Sequence, residues 1–521
     1  MGLGAGAALH RLQILLIVFP AFLSIGYGLG VLGGLTAQPE FYKQFPATRT
    51  QGLKSGPTKS HNSLIQGTVV GLFSLGNMFG ALSCIYIGDK VGRRWSIFMG
   101  AIIGLIGTVI ITCSFSLAQI IVGRFIFGWG CGMLTASVPT YQSECSDSKS
   151  RGVHVVFDGV FLALGICIAA WIDLGFYFVH NSSVSWRLPC AIPILMFITI
   201  AASIFLFPES PRWLAYMDRI AEAEVSLRIL GKDSVEGHEA TRVLIAQMQA
   251  AALVGKQGSY LDLFKMGPTM GGWRAGLAIM TQFFQQMSGS TLISYYVTTL
   301  FINVIGLETV TARILAASVL TLKTLCSCIA FVTIERWGRR NLMMLSGGGM
   351  GVCMCVIAIC VAHIESPGAS YVAAAFLFIF NMFYPVGLLG VNFLYCTEVS
   401  PLHLRGPITA ISTATQYLFQ FVIGLATPIA IEKIGYRYFI VFAVVGLIMV
   451  PTMYIFFPET TGRTLEQMDE VFAESKTIFD PPRVAKRMPV KPLIVDDATS
   501  LESNEKNASS AQNHEHIFIL V

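Results

Sequence analysis

Asp89-Lys90-Val91-Gly92-Arg93-Arg94 is a short charged turn between two long apolar runs, and it returns in the second half of the chain as Glu335-Arg336-Trp337-Gly338-Arg339-Arg340. Two more cassettes repeat in the same order. Tyr141-x-x-Glu144 with Arg151-Gly152 is matched by Tyr395-x-x-Glu398 with Arg405-Gly406, and Pro208-Glu209-Ser210 by Pro458-Glu459-Thr460. Three ordered matches at nearly one offset indicate an internal repeat. In each half the charged turns follow the second and fourth apolar runs, and the Pro-Glu pair follows the sixth. This is the pattern of two six-span bundles of one design, a layout found in membrane transporters. The fold class it predicts is an all-α membrane protein of twelve transmembrane helices in two pseudo-symmetric bundles.

Composition agrees. Of the 521 residues, 12 % are charged and 54 % hydrophobic, and the apolar residues come in runs long enough to cross a bilayer. The formal charge of +5 is small and spread over loops, so it gives no footprint for nucleic acid and suits contact with anionic lipid headgroups. The twelve cysteines show no Cys-x-x-Cys and no histidine at ligand spacing, and most lie in apolar runs. They are read as reduced packing residues. No metal-ligand cluster, phosphate loop or nucleophile-base arrangement stands out, so an enzyme, a cofactor and a bound metal are not expected.

The predicted spans are 12–35, 64–87, 95–114, 117–142, 153–179 and 186–207, then 271–302, 311–334, 341–363, 371–396, 407–430 and 436–457. Residues 1–11 form a short cytoplasmic N-terminus without a cleavage pattern, 12–207 the first bundle and 271–457 the second. Between them, 208–270 is a polar cytoplasmic linker whose short helices include Ile220 to Leu230. Residues 458–521 are a cytoplasmic tail, disordered from about 474. The short loops carrying the cassettes hold nine Lys or Arg and the linker seven more, against about eight on the opposite side, where Lys43, Arg49, Lys54 and Lys59 crowd one loop. The balance places both termini inside. Asn181-Ser182-Ser183 then becomes an outward glycosylation acceptor, while Asn507-Ala508-Ser509 in the tail stays unmodified.

The charged turns put arginines at inner helix ends, where Arg93, Arg94, Arg339 and Arg340 can bridge to Glu144, Glu209, Glu398 and Glu459, with Arg124, Arg151 and Arg405 as further gating candidates. Such pairs fasten the inner face and release it when broken. The plainer reading is that they only set topology.

Taken together, Gly92-Arg93-Arg94, Gly123-Arg124-Phe125, Pro139-x-Tyr141-x-x-Glu144, Pro208-Glu209-Ser210-Pro211-Arg212-Trp213-Leu214, Gln285-Gln286-Met287-Ser288-Gly289, Gly338-Arg339-Arg340 and Pro458-Glu459-Thr460-x-Gly462-Arg463 resemble the sugar porters of the major facilitator superfamily, most closely fungal members, over about residues 12–475. The resemblance implies alternating access, a central site between the halves and monosaccharide-like substrates. The seventh span carries Gln282, Gln285, Gln286, Ser288, Thr291, Tyr295 and Tyr296. Its amides can exchange several hydrogen bonds with sugar hydroxyls, and its aromatic faces can cover C–H surface. Helix-to-helix bonding is the alternative for these side chains.

Departures from the family pattern are informative. Its members that import sugar with protons have Gly-Tyr-Asp in the first span, where this chain has Gly26-Tyr27-Gly28, so Arg124 lacks its usual partner. The family's sugar-binding positions hold Gly159 in the fifth span, Thr291 in the seventh, Phe393 in the tenth, and Gln416 and Gln420 in the eleventh. Asp158 and Lys323 are charges inside predicted spans, which are functional hypotheses by default. Lys323 either attracts an acidic solute while Asp158 takes a proton, or the two form a structural ion pair, or the lysine is held neutral by burial. Asp173, near the outer end of its span, reads as a solvated charge. Asn381, Tyr384-Pro385, Gly387, Gly390 and Asn392 predict a bend in the tenth span that frees carbonyls beside the site.

The expectation is a monomeric plasma-membrane transporter that moves a hexose, polyol or sugar acid, by facilitated diffusion or proton symport. Gln285, Gln286, Thr291, Tyr295, Tyr296, Lys323, Asn392, Phe393, Gln416 and Gln420 are its binding residues and Asp158 its proton-coupling residue. Export of a small metabolite on the same fold, or sugar sensing without transport, are the alternatives.

Overall fold

A run of apolar residues in lipid must satisfy its own backbone, and a helix does so within one segment. The computed structural model describes residues 7–50, 53, 56–145, 151–230, 245–246, 270–401, 404–463 and 465–489, with the backbone alone at 7, 85, 89, 151–156, 331, 367, 465 and 466. Every regular element among them is helical. Eleven helices are long and apolar enough to span: Ala8–Leu35, Pro57–Gly88, Arg93–Thr112, Leu117–Cys145, Phe157–Tyr177, Val184–Leu206, Thr309–Ser327, Arg339–Ala362, Gly368–Val399, Arg405–Ile434 and Arg437–Phe456. The seventh of the twelve is a composite. Gly271–Gln285 and Thr291–Thr299 are α-helical and are joined by a π-helical turn, Gln286–Ser290, with Gly289 at φ 96°.

The tenth helix is interrupted as its sequence suggests. Pro367–Gly387 ends at Leu388, and Val391–Val399 resumes after Gly390. The two breaks, at Gly289 and at residues 388–390, are where backbone and side-chain polar groups accumulate. Within the first half the first helix packs on the fifth and the fourth on the second and third; across the halves the second packs on the eleventh and the fifth on the eighth.

The outer end is taken as the one carrying residues 36–56, opposite the Gly-Arg-Arg turns. Toward it the halves are tied by hydrogen bonds. Ser60 and Ser63 of the second helix donate to the Glu432 carboxylate of the eleventh at 3.1 and 2.9 Å. Trp171 Nε1 donates to Thr321 Oγ1 at 2.9 Å, and Ser74 bonds the Tyr295 hydroxyl at 2.6 Å. The state seen is closed at that end.

Two short helices, Pro211–Tyr216 and Ile220–Ile229, open the linker, the first capped by Ser210. The remainder of the linker, 231–244 and 247–269, lies outside the described residues, as do residues 490–521 with Asn507. Asn181 is exposed in the loop after the fifth helix. Disorder from about residue 474 does not hold for 475–489. Helices Leu465–Glu474 and Pro481–Arg487 bury Val471, Val484 and Ala485 against each other. Arg463 donates to the carbonyls of Ala485 and Met488, and Asp469 pairs with the fully buried Arg274 at 2.6 Å. The sequence hides this because an amphipathic helix docked beneath a bundle has the polar composition of a tail.

Candidate functional site

Each half carries one latch, built twice. Arg93 grips Glu144 with two parallel bonds, Nε to Oε2 and Nη2 to Oε1, both 3.2 Å, and Nη1 donates to Gly88 O at 2.9 Å. In the second half Arg339 Nη2 meets Glu398 at 3.1 Å and Glu335 at 2.8 Å. Glu209 and Glu459 differ from expectation, because they accept backbone N–H groups rather than guanidinium groups. Glu209 takes those of Arg93 and Arg94 at 3.2–3.3 Å, and Glu459 those of Arg339 and Arg340 at 2.9 and 3.2 Å. The reason is positional. These amides are the unpaired donors at the N-termini of the third and ninth helices, where a carboxylate is favoured.

Gly92 (φ 97°) and Gly338 (φ 84°) make the turn, and a Cβ there would fall 2.8 Å from Glu209 Oε2 and 2.5 Å from Glu459 Oε2. Burial pushes the Glu209 carboxyl above its ordinary value, while the amides that it accepts pull the other way. The freed guanidinium groups turn to carbonyls, Arg94 to Phe205 O at 2.9 Å and Arg340 to Tyr454 O at 2.5 Å. All of these bonds close within one half, so they stiffen each bundle. The side chain of Arg151 lies outside the described residues, and Arg405 opens the eleventh helix.

The broken seventh helix supplies a connected set of amides. Gln285 Nε2 donates to Leu388 O at 3.1 Å, a carbonyl freed by the break in the tenth helix, and to the Tyr384 hydroxyl at 3.4 Å. Gln286 Nε2 donates to Gln285 Oε1 at 3.2 Å, and Thr291 Oγ1 donates to Gln286 Oε1. Asn392 Nδ2 donates to Gln282 Oε1 at 2.9 Å. Phe393, next along, is half-buried.

Lys323 joins the same set from the eighth helix. It is 1 % exposed, donates to Ser294 Oγ at 2.9 Å and lies 4.8 Å from the centre of the Tyr384 ring. On the eleventh helix Gln416 and Gln420 share a face at i, i+4 spacing. Both are buried, and neither Oε1 has a hydrogen-bond partner. Tyr295 and Tyr296 point elsewhere, the first to Ser74 and the second to Gly424 O at 2.7 Å. Their hydroxyls tie helices in this state. Tyr384 and Ser294 were missed from the sequence as site residues. The signal for Tyr384 was its place beside Pro385 in the breaker cluster, and for Ser294 its position three residues after Thr291.

Arg124 is fully enclosed without a carboxylate. Its donors go to Gly28 O at 2.9 Å and to Val69 O and Val70 O at 3.4 Å, and its guanidinium lies 4.6 Å from the Phe73 ring centre. A Cβ on Gly28 would approach Phe127 and Phe73 to 2.8 Å, so the absent carboxylate is matched by packing that excludes one. Gly28→Asp is therefore expected to cost about 1–3 kcal/mol from overpacking, read as a lower unfolding temperature in detergent.

The ion pair between Asp158 and Lys323, the alternative to their acting on solute and proton, is not formed among the described residues. Asp158 is buried with Oδ1 unpartnered, beside Gly159, whose Cβ would meet Leu389 and Gly390 at 3.6–3.7 Å. Asp173 is not a solvated charge either. It is 2 % exposed, because the first helix closes over it.

Comparison with known proteins agrees with this architecture. The family model "Sugar (and other) transporter" matches residues 14–472. The chain is 33 % identical over 501 residues to "Sugar transporter STL1" of Saccharomyces cerevisiae, covering 95 % of this chain and 87 % of that protein. It is 34 % identical over 490 residues to "MFS-type transporter oryC" of Aspergillus oryzae, covering 90 % and 87 %. The solved structure of the proton:xylose symporter XylE bound to 6-bromo-6-deoxy-D-glucose superposes with a TM-score of 0.74 at 21 % identity, covering 89 % of this chain and 99 % of that one. With the repeated cassettes, the two six-helix halves and a family match running nearly end to end, the chain belongs to the sugar (and other) transporter family of the major facilitator superfamily.

Proposed function

We propose that this transporter carries a carbohydrate-like solute across the plasma membrane by alternating access, with Gln285, Gln286, Thr291, Asn392, Gln416 and Gln420 around the solute and Lys323 selecting an acidic one. The observation that carries this reading is the set of unmatched hydrogen-bonding groups beside the broken seventh helix. Gln416 and Gln420 present two acceptors without donors. Lys323 spends one of its three protons on Ser294. A solute that complements both must offer hydroxyl donors and an anionic acceptor, which describes a sugar acid better than a neutral hexose or polyol. The internal bonds among Gln285, Gln286 and Thr291 hold these amides in place until hydroxyls replace them, so binding exchanges hydrogen bonds without leaving amides bare.

The two latches would keep each bundle rigid while the halves rock, which is how a two-state interface converts a local change into a global one. Asp158, buried with Oδ1 unpartnered among the described residues, is the group we assign to proton coupling beside the solute. Asn181, exposed on the outer side, is the proposed glycosylation site, and a single chain holds the whole site.

The test is uptake of radiolabelled galacturonate and glucose into transporter-deficient cells at pH 5 and pH 7.5, with and without a protonophore. Galacturonate uptake that is stimulated by acid and lost with the protonophore is the expected result. Glucose equilibrating at either pH would make the chain a facilitator and Lys323 structural. Entry of neither would turn the reading to export.

A further inference from the structure

Fifteen residues beyond Asp158 on the same helix, about 22 Å along its axis, Asp173 sits where the two halves meet near the closed outer end. Both of its carboxylate oxygens are buried and, among the described residues, without a hydrogen-bond partner. It borders a small cavity of about 10 Å³ shared by the first, fifth, seventh and eighth helices, room for about one water. The first helix comes so close that a Cβ on Gly34 would lie 2.2 Å from Asp173 Oδ2.

Around Asp173 stand Tyr27 from the first helix, Cys190 from the sixth and Tyr295 from the seventh, while Tyr177 and Tyr42 stand by Arg313. Arg313 from the eighth helix carries the charge on that side, but it makes no ion pair with Asp173 among the described residues. Its Nη2 donates to Gly34 O at 3.2 Å, and its guanidinium lies 4.5 Å from the Tyr177 ring centre.

We propose that Asp173 is a proton-binding site between the halves, loaded as the outer gate closes. In the closed state an ionised carboxylate would have no donor and no water beyond a single molecule, a costly arrangement that protonation relieves. When the first and fifth helices part from the seventh and eighth, the same carboxylate reaches the outer medium and can ionise. Closure and proton uptake are then linked, and by linkage lower pH favours the closed outer end. Arg313, anchored across the boundary, sets how acidic the medium must be. Its carboxylate is not one of the proposed solute groups, although Ser294 and Tyr295 line the same cavity, so the proton site does not require the cargo to be acidic.

The test needs no solute. Full-length protein in lipid nanodiscs would carry spin labels on keto side chains at Phe178 and Tyr371, exposed at the outer ends of the two halves, and their separation would be measured by double electron–electron resonance from pH 8 to pH 5. The wild type is expected to shift toward the short distance as pH falls. Asp173→Asn, which mimics the protonated form, should stay short at every pH, and Glu365→Gln, at an exposed carboxylate in the loop between the ninth and tenth helices, should respond as the wild type does. Arg313→Gln should keep the transition but move its midpoint up by about one pH unit. A wild-type distance that ignores pH overturns the proposal. So does an Asp173→Asn protein that still responds, or a response abolished by Glu365→Gln instead.

Discussion

Glu459→Ala is expected to destabilise the protein by about 3–5 kcal/mol and to cost more than Glu209→Ala, although the two residues occupy the same place in the repeat. The difference lies in what each carboxylate holds. Glu459 accepts the backbone N–H groups of Arg339, Arg340, Thr460 and Thr461, and also the Thr461 hydroxyl at 2.8 Å. Among the described residues, Glu209 accepts those of Arg93, Arg94 and Ser210. Removing the carboxylate leaves amides without acceptors at a helix N-terminus, and the penalty grows with their number.

The free cysteines, most of them buried, supply the readout, since a thiol-reactive dye reports their exposure on heating. Glu459→Gln should fall between wild type and alanine, because its amide oxygen can still accept but carries no charge. Equal losses for the alanine variants at 209 and 459 would show that the extra bonds at Glu459 contribute nothing and that both latches act only through their arginines.

The repeat that organises the fold is written plainly in the sequence because it is carried by loop residues of special geometry. Gly92 and Gly338 are required by a positive φ, and the Arg and Glu types at fixed offsets by the helix ends that they cap. Apolar runs mark the spans for an equally local reason, the length of a helix against the thickness of a bilayer. The bend in the tenth helix was legible through Pro385, Gly387 and Gly390, and it frees the Leu388 carbonyl that Gln285 uses. What the sequence could not show is direction. Tyr295 and Tyr296 stand one residue apart from each other and close to Thr291, yet they face the second and eleventh helices, because a π-helical turn at Gly289 rotates everything after it. Asp173 read as solvated because its distance from the helix end is a one-dimensional fact, whereas its burial comes from Gly34, far away in sequence. The docked helices after Leu465 were hidden by the same limit, since Asp469 finds Arg274 only in three dimensions.

Lys323→Met carries the largest functional expectation. The lysine is buried in the bilayer-spanning bundle, and Ser294 and the Tyr384 ring face it where a carboxylate is missing. A charge so placed is costly unless something negative visits it, and on the function proposed above that visitor is an acidic solute. Removing one partner of a buried charge pair typically costs about 2–5 kcal/mol, so the KM for galacturonate should rise at least about 30-fold. Glucose binding, which uses the amides, should change little. Stability supplies the independent check, because methionine fills nearly the same volume without an unpaired charge, and the variant should unfold at the same temperature or higher. The two readouts separate the alternatives. Weaker acid uptake with undiminished stability identifies a charge kept for its solute, whereas a destabilised variant whose acid uptake matches the wild type identifies a lysine kept for its bonds to Ser294 and Tyr384.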